Sequence, residues 1–318
     1  NLGLKYKLKG KSAFYKFKLS IARKLVFSKW REALGNNVEA IVSGGAALQN
    51  RLERIFWAAG LPVLQGYGLT ETSPVIAVNP LRLDDIKFET VGPVVENVEV
   101  KIADDGEILC KGPNVMLGYY KAPELTAEVI DSEGFFHTGD IGVIEDGRFL
   151  RITDRKKEMF KLSAGKYIAP QPIENKLKES MFIEQAMVIG ENEKFASAII
   201  SPNFTYLHDW CSEHKIHFRD NKELIEIPEV IDRIAKEVNH VNKSLGEHEQ
   251  IKRFRLVTDE WSPQTGELSP TLKLRRNIIA EKYKDIIADI YMRSDKEQGV
   301  INRIKNGISS ILKGLPKF

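Results

Sequence analysis

A ten-residue stretch early in the chain, QGYGLTETSP, combines residue types that can bind a planar, phosphorylated ligand. Two glycines, Gly66 and Gly68, permit backbone conformations that a side chain would block, so Tyr67 between them can lie flat against a ring. Thr70 can donate to a phosphate oxygen, and the Glu71 carboxylate can hold a hard cation that bridges phosphates. A hairpin or a strand-to-loop turn with a chance Thr-Glu pair would also give this stretch.

Four further blocks follow in order, and each contains lysine, arginine or carboxylate side chains, with glycines in the first three. They read GEILCKGPNVMLGYYKAPELT over residues 106–126, FFHTGDIG over 135–142, ITDRKKEMFKLSAGKYIAP over 152–170 and LSPTLKLRR over 268–276.

Together with QGYGLTETSP, these blocks resemble the motifs of the adenylate-forming superfamily of acyl-CoA synthetases, luciferases and peptide-synthetase adenylation domains. The last two blocks are most similar to long-chain fatty-acid–CoA ligases, and the resemblance extends from Val38 to Tyr283. It implies an enzyme that uses ATP, Mg²⁺ and CoA. The fatty acid first attacks the α-phosphate of ATP, giving acyl-adenylate and pyrophosphate, and the thiol of CoA then displaces AMP. Both steps need cations and hydrogen-bond donors aimed at developing negative charge.

The resemblance assigns nucleotide contacts to the first half of the chain. It implies that Tyr67 stacks on adenine, that Thr70 contacts the α-phosphate and that Glu71 ligates Mg²⁺. It also implies that Asp140 accepts both ribose hydroxyls and that Arg155 meets the same ribose. Without the resemblance, a turn aspartate after glycine is the favoured interpretation of Asp140. The remaining residues placed against the nucleotide are Gly45, Ala46, Gln65, Gly66 and Gly68, of which the first two lie in what is otherwise a plain strand–helix turn.

Three lysines and one glycine in the second half of the chain receive roles in the reaction steps. By resemblance, Lys273 serves adenylation, and Lys161 serves the thioester-forming conformation. Gly165 lines the pantetheine tunnel, where a small residue leaves room. Lys157 matches the hinge about which a small domain swings between the half-reactions. By composition alone, the segment around Lys157 is a charged linker, and the one around Lys273 is a solvated charge run at a helix start.

The pattern of elements predicts an α/β fold followed by an α+β fold. Residues 1–154 read as the later part of a large adenylate-forming domain, with an α/β layer and, from about residue 91, an antiparallel or barrel-like β subdomain. Residues 155–318 read as a small, mobile α+β domain with its hinge near 155–157. The predicted helices are 14–34, 48–59, 173–180, 204–214, 230–245 and 277–292, with a further helical stripe over 300–318. The predicted strands are 38–42, 62–65, 98–102, 107–110, 148–153, 186–190, 196–201 and 253–257.

Composition limits the class of protein. The 318 residues suffice for two domains with buried cores, and 42% apolar with 29% charged residues is ordinary for a soluble globular chain. Cys110 and Cys211 lie far apart and outside any metal-ligand spacing, which indicates a reducing cytoplasm and no structural zinc. No apolar run reaches the roughly 18 residues of a transmembrane helix.

The first 31 residues differ in charge from the rest of the chain. They contain ten Lys or Arg and no Asp or Glu, whereas the remainder has 37 basic against 44 acidic residues. Aromatic residues are interleaved with these cations. A solvated helix face, peripheral contact with an anionic membrane on its cytoplasmic side, or nucleic-acid binding each fits this pattern. The absence of a recognisable nucleic-acid module argues against the last.

One motif of the family has no match in the sequence. Family members carry a Ser/Thr/Gly-rich phosphate loop ending in lysine, and the Walker pattern is also missing. We therefore expect a C-terminal portion of a longer ligase that on its own binds the ATP triphosphate poorly and turns over slowly or not at all. Two alternatives stay open, namely an acyl-adenylate ligase that loads a carrier protein and a non-catalytic module that binds acyl groups or membranes.

Overall fold

A computed structural model describes residues 2–292 of the chain. The backbone forms two compact units, Asn1–Met159 and Phe160–Phe318. No helix within the described part is long and apolar enough to cross a membrane. The helical stripe predicted over 300–318 lies outside the described residues.

The first unit contains four α-helices and eight strands. The helices are α1 (Ala13–Ala22), α2 (Ser28–Ala33), α3 (Asn50–Ala59) and α4 (Pro123–Val129). The strands are β1 (Ile41–Ser43), β2 (Val63–Gly68), β3 (Val75–Val78), β4 (Gly92–Pro93), β5 (Glu99–Ile102), β6 (Glu107–Lys111), β7 (Phe136–Glu145) and β8 (Phe149–Arg155).

The predicted helix over 14–34 is confirmed as α1 and α2 joined by a π-helical turn over residues 23–27. Ser12 begins it, because its hydroxyl accepts a hydrogen bond from the Tyr15 backbone N–H at 3.2 Å. Leu19 and Phe27 are buried in a core shared with Trp57 of α3. This packing fixes the helix against the α/β layer.

That layer is a three-stranded sheet in the order β1-β2-β3. β1 and β2 are parallel and α3 connects them, while β3 pairs antiparallel with β2. The Trp57 indole N–H of α3 donates to the Val63 carbonyl at 2.9 Å, which ties the helix to the start of β2. The predicted strand–helix–strand alternation is therefore confirmed, although β2 continues to Gly68, beyond the predicted end at 65.

The β-rich segment forms an open five-stranded antiparallel sheet in the order β4-β8-β7-β6-β5. The antiparallel expectation is confirmed, and the barrel-like alternative is wrong for the described residues, because β4 and β5 form two unjoined edges. The long strand β7 was not among the predicted strands. It carries the FFHTGDIG block through the middle of the sheet.

Within residues 160–292, the second unit has a hairpin, a three-stranded sheet, five helices with assigned bounds and a further helical stretch over 284–292. Its strands are β9 (Phe160–Lys161), β10 (Tyr167–Ile168), β11 (Ile183–Ile189), β12 (Ser197–Pro202) and β13 (Arg253–Leu256). Its helices are α5 (Pro170–Leu177), α6 (Phe204–Glu213), α7 (Asn221–Leu224), α8 (Pro228–Asn242) and α9 (Arg276–Lys282).

The core of this unit follows from the helical period of α8 and from a fully buried strand. Val230, Ile234 and Val238 recur on one face of α8 and are buried. Every residue of β12 is buried, since it lies between β11 and β13. The predicted α+β arrangement is confirmed. The helix predicted over 277–292 is interrupted, because α9 ends at Lys282 and helical backbone resumes over 284–292.

Candidate functional site

The parallel pairing of β1 and β2 brings two of the predicted binding segments together at the carboxyl ends of these strands. Ser43 pairs with Gln65, so the turn that follows β1 lies beside the QGYG segment. A Cβ atom placed on Gly44 would lie only 3.2 Å from the Gly66 carbonyl oxygen. Gly45 and Ala46 are exposed in this turn. Backbone groups of both segments can therefore contact a ligand at the carboxyl ends of these strands.

Gly68 adopts its place in β2 only because it has no side chain. A Cβ atom there would lie 1.6 Å from the Pro74 carbonyl oxygen, which is well inside van der Waals contact. The pairing of β2 with β3 shifts register between Tyr67 and Gly68. This irregularity turns the chain into the short 3-10 helix Thr70–Thr72.

Tyr67 and Asp140 meet although they are 73 residues apart. The Tyr67 hydroxyl donates to Asp140 Oδ2 at 2.7 Å, and Arg155 Nε lies 3.4 Å from Oδ1. Burial, followed by the negative charge of Asp140, raises the pKa of the Tyr67 hydroxyl well above its ordinary value. The phenol therefore stays a hydrogen-bond donor at neutral pH.

The central strand β7 holds Asp140 in place. The Asp140 backbone N–H donates to Thr138 Oγ1 at 3.1 Å, and the Thr138 hydroxyl donates to the Ile108 carbonyl at 2.7 Å. Asp140 also pairs directly with Arg155 across β7 and β8. The three predicted nucleotide-contacting side chains Tyr67, Asp140 and Arg155 are therefore brought together within the first unit.

Glu107 holds the backbone at Gly139, next to Asp140, and the sequence analysis assigned Glu107 no role. Its buried carboxylate accepts from the Gly139 backbone N–H at 2.9 Å, from Lys156 Nζ at 2.8 Å and from His137 Nδ1 at 3.1 Å. Burial disfavours the carboxylate, but these hydrogen bonds outweigh it and hold the pKa of Glu107 below its ordinary value. The block over 106–126 contains Glu107, yet nothing in that block reveals its partners.

Thr70 and Glu71 lie in the 3-10 helix, where Thr70 is exposed. Glu71 Oε1 accepts from the Tyr119 hydroxyl at 3.0 Å, and the Glu71 carbonyl accepts from the Met116 N–H at 2.8 Å. Tyr119 is a second contact that sequence reasoning missed. It orients the carboxylate that the resemblance assigns to the metal.

The donor set around Glu71 limits how a metal could bind. Within residues 2–292, no cluster of three or more His, Cys, Asp or Glu side chains is placed to hold a metal ion. Mg²⁺ is usually bound by one or two carboxylates together with substrate phosphates and waters. A single carboxylate at Glu71 fits that mode, so Glu71 would hold Mg²⁺ jointly with the phosphates of ATP.

Gln65 and Lys157 occupy contrasting environments. Gln65 is buried, and its side-chain amide donates to Glu53 of α3 at 3.1 Å. Its side chain therefore already packs α3 against β2. Lys157 is exposed in the turn that follows β8, next to Lys156, which pairs with Asp105 at 2.6 Å and with Glu107.

In the second unit, the β9–β10 hairpin brings Lys161 and Gly165 together. Tyr167 pairs with Lys161 in the hairpin, and a Cβ atom on Gly165 would lie 3.7 Å from Lys161 Cε. Gly165 has a φ of +82°, a conformation that disfavours any side chain. The turn itself thus requires a glycine here, independently of any tunnel.

Lys273 lies at the end of a tight loop before α9. Its N–H donates to Ser269 Oγ at 3.0 Å, and its carbonyl accepts from the Ser269 N–H at 2.8 Å. The bridge between Leu268 and Leu274 closes the loop at its base. Lys161, Gly165 and Lys273 therefore lie on two separate loops of the second unit.

In the first unit, an α/β layer places a partly buried tyrosine and a buried aspartate beside glycine-rich strand ends. The second unit has an α+β fold with two lysine-bearing loops. These features are those of an adenylate-forming enzyme. Two family models match the chain, "AMP-binding enzyme" over residues 10–120 and "AMP-binding enzyme C-terminal domain" over 157–295. The chain belongs to the AMP-binding enzymes.

Named proteins of similar sequence support this assignment. Long-chain-fatty-acid–CoA ligase FadD15 of Mycobacterium tuberculosis is 36% identical over 283 residues, which cover 89% of this chain and 47% of that protein. Fatty acyl-CoA synthetase B of Dictyostelium discoideum is 35% identical over 312 residues, covering 91% of this chain and 46% of the relative. The chain thus spans about half the length of the curated relatives that it matches.

Solved structures share the fold. The adenylation domain of a carboxylate reductase from Mycobacterium chelonae matches with a TM-score of 0.67 and 23% identity over 92% of this chain and 43% of that chain. The A-PCP didomain of carboxylic acid reductase from Segniliparus rugosus, solved with AMP, matches with a TM-score of 0.67 and 23% identity over 93% of this chain and 42% of that chain. At this identity the likeness concerns the fold alone.

Proposed function

We propose that this chain takes part in the ATP-dependent activation of a long-chain fatty acid to acyl-AMP and its transfer to CoA. The observation that carries the proposal is the Tyr67–Asp140 hydrogen bond beside the paired β1 and β2 ends, which gives a ring and an acceptor for a nucleoside. Sequence similarity to named fatty-acid–CoA ligases supports the choice of acid and of thiol.

Each residue contributes a distinct part of the chemistry. Tyr67 provides the ring face for adenine, while its hydroxyl fixes the Asp140 carboxylate so that it can accept from ribose hydroxyls. Thr70 offers a hydroxyl to the α-phosphate. Glu71 holds Mg²⁺, which when bound neutralises phosphate charge. Lys273 places an ammonium against the charge that develops as the acid attacks phosphorus.

The second half-reaction uses the other loop of the second unit. Lys161 and Gly165 lie in the β9–β10 hairpin, where Lys161 is exposed and Gly165 lies beside its side chain. In this proposal the hairpin guides the thiol of CoA, and Lys157 is the hinge residue between the two steps. AMP then leaves from the carbonyl carbon as the thioester forms.

Binding of a non-hydrolysable acyl-adenylate tests the nucleoside site directly. Asp140→Asn removes the charge of the ribose acceptor, and we expect the dissociation constant to rise about tenfold or more, because hydrogen bonds to charged groups are worth roughly 1.5–3 kcal/mol. Asp209→Asn, an exposed position on α6, serves as the control and leaves affinity unchanged. Equal affinity for both variants and the wild type would contradict the proposal.

The acceptor can be CoA or a carrier protein. Sequence relatives favour CoA, whereas the structural match to a didomain with a carrier rests on fold similarity alone. Supplying preformed acyl-AMP with either CoA or a phosphopantetheine-bearing carrier separates the two. We expect thioester formation on CoA, and transfer only to the carrier would replace the proposed reaction with carrier loading.

We further propose that this chain on its own turns over slowly, because its sequence has no match to the family's phosphate loop. The described residues that would touch ATP contact the nucleoside and the α-phosphate. Release of pyrophosphate should therefore be slow, while binding of an adenylate, which lacks the β- and γ-phosphates, is retained. Rapid acyl-CoA formation by the chain alone would refute this.

Peripheral contact with an anionic membrane from the cytoplasmic side is a second proposal, and α1 supports it. Phe14 and Phe17 are 68% and 64% exposed, and every charged residue before Glu32 is Lys or Arg. Paired Phe14→Ser and Phe17→Ser substitutions should abolish flotation with phosphatidylserine vesicles. Leu117→Ser with Tyr120→Ser, also exposed apolar positions, is the control. Unchanged flotation of the Phe14 and Phe17 variant would reject membrane contact through α1.

A further inference from the structure

A buried ion pair lies next to the Lys273 loop and belongs to none of the roles assigned above. Glu174 of α5 is only 2% exposed. Arg276 approaches it with both terminal nitrogens, Nη1 at 2.7 Å from Oε1 and Nη2 at 2.8 Å from Oε2. The Val188 backbone N–H donates to Oε1 at 2.8 Å, so β11 also holds the carboxylate.

The sequence positions of the two partners connect both lysine-bearing loops. Arg276 is the first residue of α9 and follows Lys273 by three residues. Glu174 lies in the helix that begins two residues after the β9–β10 hairpin, which carries Lys161. The ion pair therefore ties the end of one loop to the helix that continues from the other.

A second contact holds the opposite end of the Lys273 loop. The Glu267 carbonyl accepts from the Arg275 N–H at 2.8 Å, and its carboxylate binds Lys282 Nζ at 2.6 Å. Burial is the largest single effect on Glu267 and opposes its ionisation, but the hydrogen bonds from Lys282 and Thr265, with the charge of Lys282, together keep its pKa below the ordinary value. Residues 268–275 are thus anchored at both ends to α9.

The energetics of a buried Arg–carboxylate pair indicate that it orients the groups around it more than it stabilises the fold. A buried ion pair contributes little net stability compared with apolar packing, because both charges lose their hydration. A bidentate Arg–carboxylate contact nevertheless fixes distance and plane together. Replacing either partner removes this bidentate contact from the buried Glu174 site, so the local geometry must change.

We propose that Glu174 and Arg276 are positioning residues that set the location of Lys273 for adenylation. The proposal rests on the function of Lys273 proposed above. Neither residue is assigned a contact with substrate. Their effect is transmitted through the short segment between Lys273 and Arg276, which has no room to absorb a displacement of the helix start.

The test compares Glu174→Gln and Arg276→Lys with Glu237→Gln in the full 318-residue chain. Glu237 pairs with Arg233 along α8 and so offers the same chemical change in the same unit, away from the loop. Amide hydrogen exchange is followed by mass spectrometry. We expect peptides covering 268–275 to exchange about tenfold faster in the first two variants, with α8 peptides unchanged.

A functional measurement accompanies the exchange experiment. Acyl-AMP formation from ATP and fatty acid should fall about 100-fold, as a small misplacement of a reacting group can cause. Thioester formation from preformed acyl-AMP and CoA, which the resemblance assigns to Lys161, should change less than threefold in the same preparations. A merely structural role would lower both half-reactions equally.

The outcomes separate this inference from the proposed function. If the wild-type chain neither forms acyl-AMP nor binds a non-hydrolysable acyl-adenylate, the proposed function of this chain fails, and the exchange result still decides whether the ion pair holds the loop. Unchanged exchange over 268–275, or faster exchange throughout the second unit, overturns the inference. Should Glu174→Gln fail to fold, Arg276→Lys keeps the positive charge and supplies the decisive comparison.

Discussion

The contact between Tyr67 and Asp140 combines two tasks in one pair of side chains. The ring of Tyr67 offers a flat surface, and its hydroxyl orients the carboxylate through a 2.7 Å hydrogen bond. Because the phenol is buried and lies against a negative charge, its pKa is raised and it remains protonated. The ribose acceptor is therefore held in place before any ligand arrives.

Removing only the hydroxyl separates these two tasks. Tyr67→Phe keeps the ring but leaves the Asp140 carboxylate without its closest donor. We expect an acyl-adenylate mimic to bind about tenfold more weakly by calorimetry, since hydrogen bonds to charged groups contribute roughly 1.5–3 kcal/mol. Affinity equal to that of the wild type would show that this hydrogen bond does not organise the site.

Glu107 makes the stability of the first unit depend on pH. Its folded pKa lies below the ordinary value of 4.5, so the carboxylate contributes stability that is fully present above 4.5 and is lost as pH falls through the folded pKa. At pH 7, Glu107→Gln should lower the free energy of unfolding by about 1–3 kcal/mol. Urea denaturation at pH 7 and at steps below pH 5 measures this.

The difference in the free energy of unfolding between wild type and Glu107→Gln should become smaller as the pH falls. Glu99→Gln, at an exposed position on the neighbouring strand β5, controls for loss of a negative charge. A constant difference across the whole pH range would mean that the Glu107 charge is not what stabilises the turn.

At the residue scale, the sequence reveals which side chains can do chemistry but not what they touch. Tyr67, Asp140 and Arg155 were all assigned to the nucleotide by their motifs. Glu107 and Tyr119 were not assigned, although both lie in a recognised block. Their importance depends on partners far away in the sequence, and only the folded structure shows those partners.

At the element scale, the parallel pairing of β1 with β2 places the two glycine-containing turns side by side. On the other side of β2, its pairing with β3 determines where Gly68 meets the Pro74 carbonyl. A change of register by one residue would turn every side chain of β2 to the other face. The shape of this edge therefore depends on an uninterrupted β2.

Gly68→Ala tests that dependence. The added methyl would overlap the Pro74 carbonyl oxygen, so β2 and β3 would have to separate. We expect the free energy of unfolding to fall by about 3 kcal/mol or more, among the larger effects of single substitutions. Thermal and urea unfolding measure it.

Gly66→Ala is the matched control on the same strand. A Cβ atom at Gly66 lies 3.5 Å from the nearest side chain, in ordinary contact. Gly66→Ala should change the free energy of unfolding by less than about 1 kcal/mol, because glycine and alanine within a strand differ by no more than that. Equal losses for the two variants would disprove the steric explanation.

Most elements could be predicted because their apolar residues repeat with the period of a helix or a strand. α8 is a clear example, with Val230 and Ile234 on its buried face. The break after Lys282 was missed, because the residues on either side continue the same period. The barrel alternative was also wrong, because strand order, which decides between an open and a closed sheet, leaves no trace in local periodicity.

At the scale of the whole molecule, the two units carry different parts of the chemistry. The first unit holds Tyr67, Asp140 and Glu71, which suit a nucleoside and a metal-bound phosphate. The second holds Lys161 and Lys273 on separate loops. The order of the motifs along the chain made this division predictable. The ion pair between Glu174 and Arg276 could not be predicted, because Glu174 lies outside every motif block.

The central claim is that this chain recognises a long-chain acyl-adenylate, and thermal stabilisation by non-hydrolysable mimics of increasing acyl length tests it most directly. A ligand that binds only the folded state raises stability by RT ln(1 + [L]/Kd). We predict stabilisation that grows from short to long acyl groups and is lost in Asp140→Asn. Absence of stabilisation at every acyl length, or equal stabilisation of Asp140→Asn, would contradict it.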